Sequence, residues 1–109
     1  MSKILQVNEA DFIQYLSQPD TPVFVEFGAD WCAPCKRMRP VIAGLAEQWD
    51  GKVRFIEINV DDSYALSVKY QVMSVPTFLI FVGGVVRGRL TGLQPLERIS
   101  SEFGPLLNP

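Results

Sequence analysis

The stretch Val25-Glu26-Phe27-Gly28-Ala29-Asp30-Trp31-Cys32-Ala33-Pro34-Cys35 decides the fold of this chain. It opens with β-branched and aromatic residues around a single charge, which predicts a strand buried on both faces of a sheet. From Cys35 onward the apolar residues recur every three or four positions up to Trp49, and this spacing predicts the buried face of a long helix. Gly51 then ends the helical pattern. The two cysteines therefore mark a junction between a central strand and a helix.

Strands and helices are predicted to alternate along the rest of the chain. Strand-like runs cover residues 4–7, 23–27, 53–60, 77–82 and 85–90, and helical patterns begin at Asn8, at residues 61–63 and at Pro95. The first of these helices should end near Pro19. Gly83-Gly84 suits an antiparallel hairpin, whereas strands joined by helices should run parallel. The pattern predicts an α/β fold, a mixed sheet with helices on both faces, in a single domain spanning residues 1–109.

Composition excludes several classes of function. The net charge is -2 and the basic residues are scattered, so nucleic acid is not an expected partner. No apolar run approaches the ~20 residues of a membrane-spanning helix, and polar residues interrupt the N-terminus before a signal sequence could form. We therefore expect a cytoplasmic, soluble monomer. Two cysteines without any histidine exclude a zinc tetrad, a Cys-His pair and a Ser-His-Asp triad.

The cysteine pair carries the chemistry that the sequence predicts. Cys32 stands where the first backbone N–H groups of a helix lack partners, and these groups and the helix dipole favour a thiolate. Lys36, Arg37 and Arg39 add positive charge nearby. Cys35 lies one turn further along the same face, within reach of a disulfide, and Pro34 suits the first turn. We predict dithiol-disulfide exchange, in which Cys32 attacks a target disulfide and Cys35 resolves the mixed disulfide.

Three other interpretations of the cysteine pair are open. A purely structural disulfide across so short a loop would stabilise the fold by only about 2 kcal/mol before strain is subtracted. Half of a zinc site would need two ligands from another chain. Two inert, buried cysteines would make the Trp-Cys-x-Pro-Cys arrangement at this junction a coincidence.

The chain resembles the thioredoxin family over nearly its whole length. The residues that carry the resemblance are Val25-Glu26-Phe27, Ala29-Asp30-Trp31-Cys32-Ala33-Pro34-Cys35, Pro40, Val75-Pro76-Thr77, Gly83-Gly84 and Gly92, which stand in the family's order and spacing. The resemblance implies a thioredoxin fold with a central mixed sheet of four to five strands. It also implies protein disulfides as substrates, an NADPH-linked thioredoxin reductase as electron donor, and no bound cofactor.

A substrate-facing surface around the cysteines follows from the same resemblance. Pro76 corresponds to the family's cis-proline, beside which the backbone of Val75 pairs with a substrate strand. The implied substrate-binding residues are Trp31, Ala33, Pro34, Val75, Pro76 and Gly92. The alternatives are an ordinary strand-entry proline at position 76 and a packing role in the core for Trp31.

Glu26 is a charge in an otherwise apolar strand, which is costly unless the carboxyl is neutral, solvated or used. The family usually has an aspartate there, and the resemblance implies proton exchange with the resolving cysteine through water. We predict that Glu26 is the general acid and base for Cys35. Glu57, where many relatives carry lysine, should raise the pKa of Glu26 if the two carboxyls are close. The alternatives are a solvated Glu26 without catalytic effect and a surface role for Glu57.

Two further positions depart from the family pattern. Gly28 replaces a residue that is commonly aromatic, which removes a packing wall beside the cysteines and should loosen the active-site loop. Ala33 replaces glycine between the cysteines, where the residues influence the reduction potential. Pro40, which is usual in the family, should kink the long helix.

These inferences together predict a protein-disulfide reductase with Cys32 as nucleophile, Cys35 as resolving thiol and Glu26 as proton shuttle. A disulfide oxidase or isomerase is an alternative within the same fold, although those branches often have histidine between the cysteines instead of Ala33-Pro34. A second alternative is a chaperone-like binding module that docks its partners in the groove around Trp31 and Pro76.

Overall fold

The computed structural model describes residues 4–17 and 20–107. Within these residues the strands and helices follow the predicted order. The strands are β1 (Ile4–Gln6), β2 (Val23–Gly28), β3 (Arg54–Asn59), β4 (Thr77–Val82) and β5 (Val85–Thr91), and the helices are α1 (Glu9–Leu16), α2 (Ala33–Gln48), α3 (Tyr64–Lys69) and α4 (Leu96–Phe103), followed by a 3₁₀ turn at Gly104–Leu107. None of these helices has the length and apolarity needed to cross a membrane.

The strands form one mixed sheet in the order β1-β3-β2-β4-β5. β3 runs parallel to both β1 and β2, whereas β4 runs antiparallel to β2 and to β5. Every residue of β2 is buried, as expected for a central strand that helices cover on both faces. The predicted mixed sheet is confirmed, with five strands and with β2 at its centre.

Two hydrophobic clusters lie on opposite faces of the sheet, because successive residues of a strand point to opposite sides. Phe24 and its neighbours pack against α2 and α4, and Trp49 lies in this cluster, as predicted. Val25 and Phe27 pack on the other face with Phe12 of α1 and with residues of α3. The buried face of α2 is therefore packed against the sheet, and its N-terminal end lies at the carboxyl end of β2.

Some boundaries differ from those predicted. β3 covers Arg54–Asn59 and is shorter than the predicted strand at 53–60. α2 begins at Ala33, directly after its N-cap Cys32, as predicted. Asn8 caps α1 as predicted, with its side chain accepting the Asp11 N–H, and α1 ends at Leu16. The expected limit at Pro19 lies outside the described residues.

Candidate active site

Cys32 is the N-cap residue of α2. Its backbone is extended, with φ -89° and ψ 106°, and its Sγ accepts the backbone N–H of Cys35 at 3.1 Å. This is the position at which the helix dipole and an unpaired N–H stabilise negative charge on sulfur. The predicted placement of Cys32 at the helix start is therefore what the structure shows.

The two cysteines are joined as a disulfide in the structure. Their Cα atoms are 5.3 Å apart, and both residues are almost fully buried in this oxidised state. Each cysteine is thus paired within this chain, without a metal ligand or a sulfur atom from another chain. The pair therefore has the geometry of a redox couple that can pass between a disulfide and two thiols.

Glu26 lies on β2 and approaches the cysteine pair from that strand. It is only 3% exposed to solvent. Its register partner on β3 is Glu57, so two carboxyl-bearing residues stand side by side on neighbouring strands. A Cβ atom at Gly28 would lie 3.4 Å from the Sγ of Cys35 and 3.8 Å from Oε2 of Glu26. Gly28 thus occupies the point between the carboxyl and the resolving sulfur.

The missing side chain at Gly28 leaves an open, polar cleft of about 180 Å³ beside the cysteines. Its lining consists of Gln6, Glu26, Gly28, Ala29, Asp30, Cys35, Arg39, Glu57, Asn59 and Asp62. A polar site of this size admits water that can bridge groups too far apart for a direct hydrogen bond. Gly28 itself is the last residue of β2 and its carbonyl accepts the Val60 N–H at 2.9 Å, so it belongs to the sheet. The loosening of the loop that follows it stays a prediction.

The pKa of Glu26 is raised from 4.5 to about 7. The largest cause is burial, which disfavours the ionised form, and the neighbouring Glu57 carboxyl adds to the rise, whereas the Arg39 guanidinium opposes it. The prediction that Glu26 titrates above an ordinary glutamate is confirmed, although burial contributes more than Glu57. Near neutral pH the Glu26 carboxyl can therefore both accept and donate a proton.

The remaining predicted site residues lie at the start of α2, just before β4 and just after β5. Trp31 is 68% exposed and its Nε1–H donates to Oδ2 of Asp61 at 2.9 Å, so it is a surface residue and not part of the core. The Val75–Pro76 peptide bond is cis, and the carbonyl of Pro76 accepts the Gly92 N–H at 2.9 Å. Ala33 and Lys36 are exposed, and Pro34 and Val75 are half-buried. Their roles towards a substrate stay predictions.

Two further residues belong to the site, and only one of them was predicted from the sequence. Arg39, predicted to add positive charge near the cysteines, lines the cleft and lies four residues after Cys35 on the same face of α2. Asp61 was not predicted. Asp61 follows β3 and fixes the Trp31 ring through the hydrogen bond just described. That pairing joins segments 30 residues apart and has no local signal in the sequence.

A cysteine pair at the start of a helix that follows the central strand of such a sheet defines a thiol-disulfide oxidoreductase. Residues 3–103 match the family model described as Thioredoxin. A thioredoxin of Haemophilus influenzae is 37% identical over 101 residues, covering 93% of this chain and 94% of the relative. A chloroplastic M-type thioredoxin of Brassica napus is 38% identical over 104 residues, covering 95% of this chain and 59% of the relative.

The fold agrees with a solved structure as well. The crystal structure of the thioredoxin NaTrxh from Nicotiana alata superposes with a TM-score of 0.87 at 25% identity, covering 95% of this chain and 92% of the other. The chain belongs to the thioredoxin family, and its cysteine pair makes it a thioredoxin-type protein-disulfide reductase.

Proposed function

We propose that the reduced protein donates two electrons to a protein disulfide through the residues assigned above. The Cys32 thiolate attacks one sulfur of the target disulfide; a Cys32–target disulfide forms and the second target sulfur leaves as a thiolate, which takes a proton from solvent. The Cys35 thiol then loses its proton and attacks Sγ of Cys32. The Cys32–Cys35 disulfide forms, and the first target sulfur leaves as a thiolate.

Glu26 takes the proton that Cys35 releases in the second step. The observation that supports this role is the position of Gly28, since one point lies within 4 Å of both the Cys35 sulfur and the Glu26 carboxyl. A water molecule in the cleft can relay the proton between them. Because the pKa of Glu26 is about 7, a useful fraction of the carboxyl is ionised and ready to accept that proton at neutral pH.

Substrate recognition is assigned to the exposed ring of Trp31 and to the segment at Val75 and Pro76, with Ala33, Pro34 and Gly92 around them. A target strand would pair with the backbone of Val75 while its disulfide faces Cys32. A thioredoxin reductase using NADPH would return the two electrons to the oxidised pair. A reducing compartment such as the cytoplasm is the setting that fits a pair working as a reductant.

The test of this function is dithiothreitol-driven reduction of insulin with three variants. We expect Cys32→Ser to abolish turnover. Cys35→Ser should also abolish turnover and, when its reduced form is mixed with insulin after dithiothreitol has been removed, should accumulate a one-to-one mixed disulfide detectable by mass. Glu26→Gln should slow the attack of Cys35 that resolves the mixed disulfide. The rate of this step should also no longer depend on an ionisation near pH 7. The role of Glu26 is refuted if Glu26→Gln changes neither the rate nor its pH profile.

The reduction potential separates reductase from oxidase or isomerase. Titration of the Cys32–Cys35 couple against glutathione should give a value near the roughly -270 mV of thioredoxins. A value towards about -180 to -120 mV would instead indicate a disulfide donor or isomerase. If Cys32→Ser retained the biological effect of the protein, binding by the groove around Trp31 and Pro76 would be the function.

A further inference from the structure

The segment between α3 and β4, residues 70–76, begins with a strained helix end. Tyr70 is the C-cap of α3, and Gln71 follows it with φ 55°, in the left-handed region. The Gln71 N–H donates to the Val68 carbonyl at 3.1 Å, and the Val72 N–H donates to the Ser67 carbonyl at 2.8 Å. These two bonds form a Schellman motif, which normally has glycine at the position that Gln71 occupies. A residue with a Cβ is disfavoured there.

Arg89 supports this helix end from β5. It lies opposite Leu79 of β4, and its guanidinium donates to the backbone carbonyl of Gln71 at 3.5 Å and to that of Tyr70. These carbonyls lie at the C-terminal end of α3, where a cation is stabilised by the helix dipole and by hydrogen bonds to free carbonyls. The charged side chain thus holds Gln71 in a conformation that its own side chain disfavours.

The other end of the 70–76 segment is held by the first residue of β4 and by the residue that follows β5. Thr77 Oγ1 donates to the Ser74 carbonyl at 2.7 Å, and the Gly92 N–H donates to the Pro76 carbonyl at 2.9 Å. Gly92 lies three residues after Arg89. β5 and the residue that follows it therefore contact the segment at both of its ends, while Met73 in the middle is 93% exposed.

We propose that Arg89 is a positioning residue for protein substrates: its hydrogen bonds to Tyr70 and Gln71 keep the 70–76 segment in the conformation that presents Val75 to a target strand. This rests on the proposed role of Val75 in substrate binding. A segment that is already ordered costs less to dock against than one that must be ordered on binding. Loss of the Arg89 contacts should therefore weaken binding of proteins and leave the chemistry of the cysteines unchanged.

Small disulfides should react independently of the conformation of the 70–76 segment. A small aromatic disulfide such as 5,5′-dithiobis(2-nitrobenzoic acid) reacts with the Cys32 thiolate without pairing with a backbone strand. The thiolate itself is stabilised at the start of α2 by the Cys35 N–H, and the Arg89 contacts do not involve that helix. An effect confined to protein substrates is thus the signature of Arg89 acting through the segment.

The experiment compares Arg89→Gln and Arg89→Lys with wild type, using Arg87→Gln as the matched control. Arg87 lies in the same exposed strand at a β-bulge between the pairs Phe81–Val86 and Ile80–Gly88, so its replacement removes the same charge without touching the Tyr70 and Gln71 carbonyls. The measurements are kcat and KM for insulin reduction, the rate with the small disulfide, and the reduction potential.

We expect Arg89→Gln to raise the KM for insulin by about three- to tenfold, a change equal to about 0.6 to 1.4 kcal/mol. The kcat, the small-disulfide rate and the potential should stay within twofold of wild type. Arg89→Lys, a point-like donor without the guanidinium fork, should give an intermediate KM. Arg87→Gln should match wild type.

Three results would overturn the proposal. An unchanged KM in Arg89→Gln would remove the positioning role, an equal rise in Arg87→Gln would assign the effect to charge alone, and a parallel loss with the small disulfide would indicate general damage to the fold. Failure of wild type itself to reduce insulin would instead refute the proposed function, so the two failures are distinguishable.

Discussion

Replacing Glu26 by glutamine should stabilise the oxidised protein at alkaline pH, because it removes an ionisation that folding makes unfavourable. The pKa of Glu26 rises from 4.5 to about 7 on folding, and each unit corresponds to about 1.4 kcal/mol. In the wild type the folded state binds more protons than the unfolded state between these two values. The stability that the wild type gains from keeping Glu26 protonated is therefore fully present below pH 4.5 and falls as the pH rises. Above pH 7 the free energy of unfolding is lower by about 3 kcal/mol on this account.

The assay is urea unfolding of oxidised wild type and Glu26→Gln at pH 4.5 and at pH 8. At pH 4.5 the wild-type carboxyl is neutral in the folded protein, and the two proteins should differ little. At pH 8 the variant should be more stable by up to about 3 kcal/mol, with an unchanged dependence on urea. Glu57→Gln is the control, since it removes only the second contributor to the raised pKa and should recover a smaller part of that stability. The reasoning is refuted if the difference between wild type and Glu26→Gln is the same at both pH values.

Three further predictions follow from named contacts. Gly88→Ala should destabilise the protein by about 1 to 3 kcal/mol, because a Cβ there would lie 3.0 Å from the packed side chains of Phe103 and Leu106. The measurement is the urea midpoint, which should fall; an unchanged midpoint would show that these side chains move aside without cost. Gln71→Gly should raise the unfolding free energy by about 1 kcal/mol, since glycine adopts the left-handed region without a Cβ penalty; a loss of stability would contradict the strain assigned to this position. Arg39→Gln should raise the pKa of Glu26 further, because it removes the charge that lowers it, and should move the pH profile of insulin reduction towards higher pH; a shift in the other direction would exclude Arg39 as that charge.

The order of strands and helices could be predicted because burial leaves a strong pattern in the sequence. The apolar run at 23–27 indicates a strand covered on both faces, and β2 is buried throughout. Boundaries were less accessible, because apolar spacing reports burial and not which residues pair with a neighbouring strand. The apolar pattern predicts a strand at 53–60, whereas β3 covers only Arg54–Asn59.

Caps made between distant segments could not be predicted either. The sequence Asp61-Asp62-Ser63 favours a local cap for α3, yet Ser63 makes no side-chain capping bond. The Ala65 N–H instead donates to Oε1 of Glu9 at 3.0 Å, a contact between α1 and α3 across 56 residues. Only the tertiary structure brings that carboxylate to the helix, so local capping rules cannot find it.

The cysteine pair and the raised pKa of Glu26 could be predicted from the sequence, but not the balance of forces on Glu26 or the Asp61 contact to Trp31. From sequence alone, the neighbouring Glu57 is the expected reason for a raised pKa, whereas burial proves to be the larger cause. The extent of burial depends on how completely the sheet and α2 enclose position 26. That enclosure, like the cleft opened by Gly28, is a property of the packed structure.

The cleft and Arg39 explain why burial does not leave Glu26 permanently protonated. A fully enclosed carboxyl would keep its proton at neutral pH and could not take one from Cys35, whereas a fully solvated carboxyl with an ordinary pKa would be a weak base. Gly28 leaves a route for water to the carboxyl, and Arg39 supplies a positive charge at the same cleft. The guanidinium opposes the effect of burial through its charge, and water entering the polar cleft would oppose it through hydration. On the proposed role of Glu26, the stability lost at neutral pH is the cost of a carboxyl whose pKa matches the pH at which it would exchange protons.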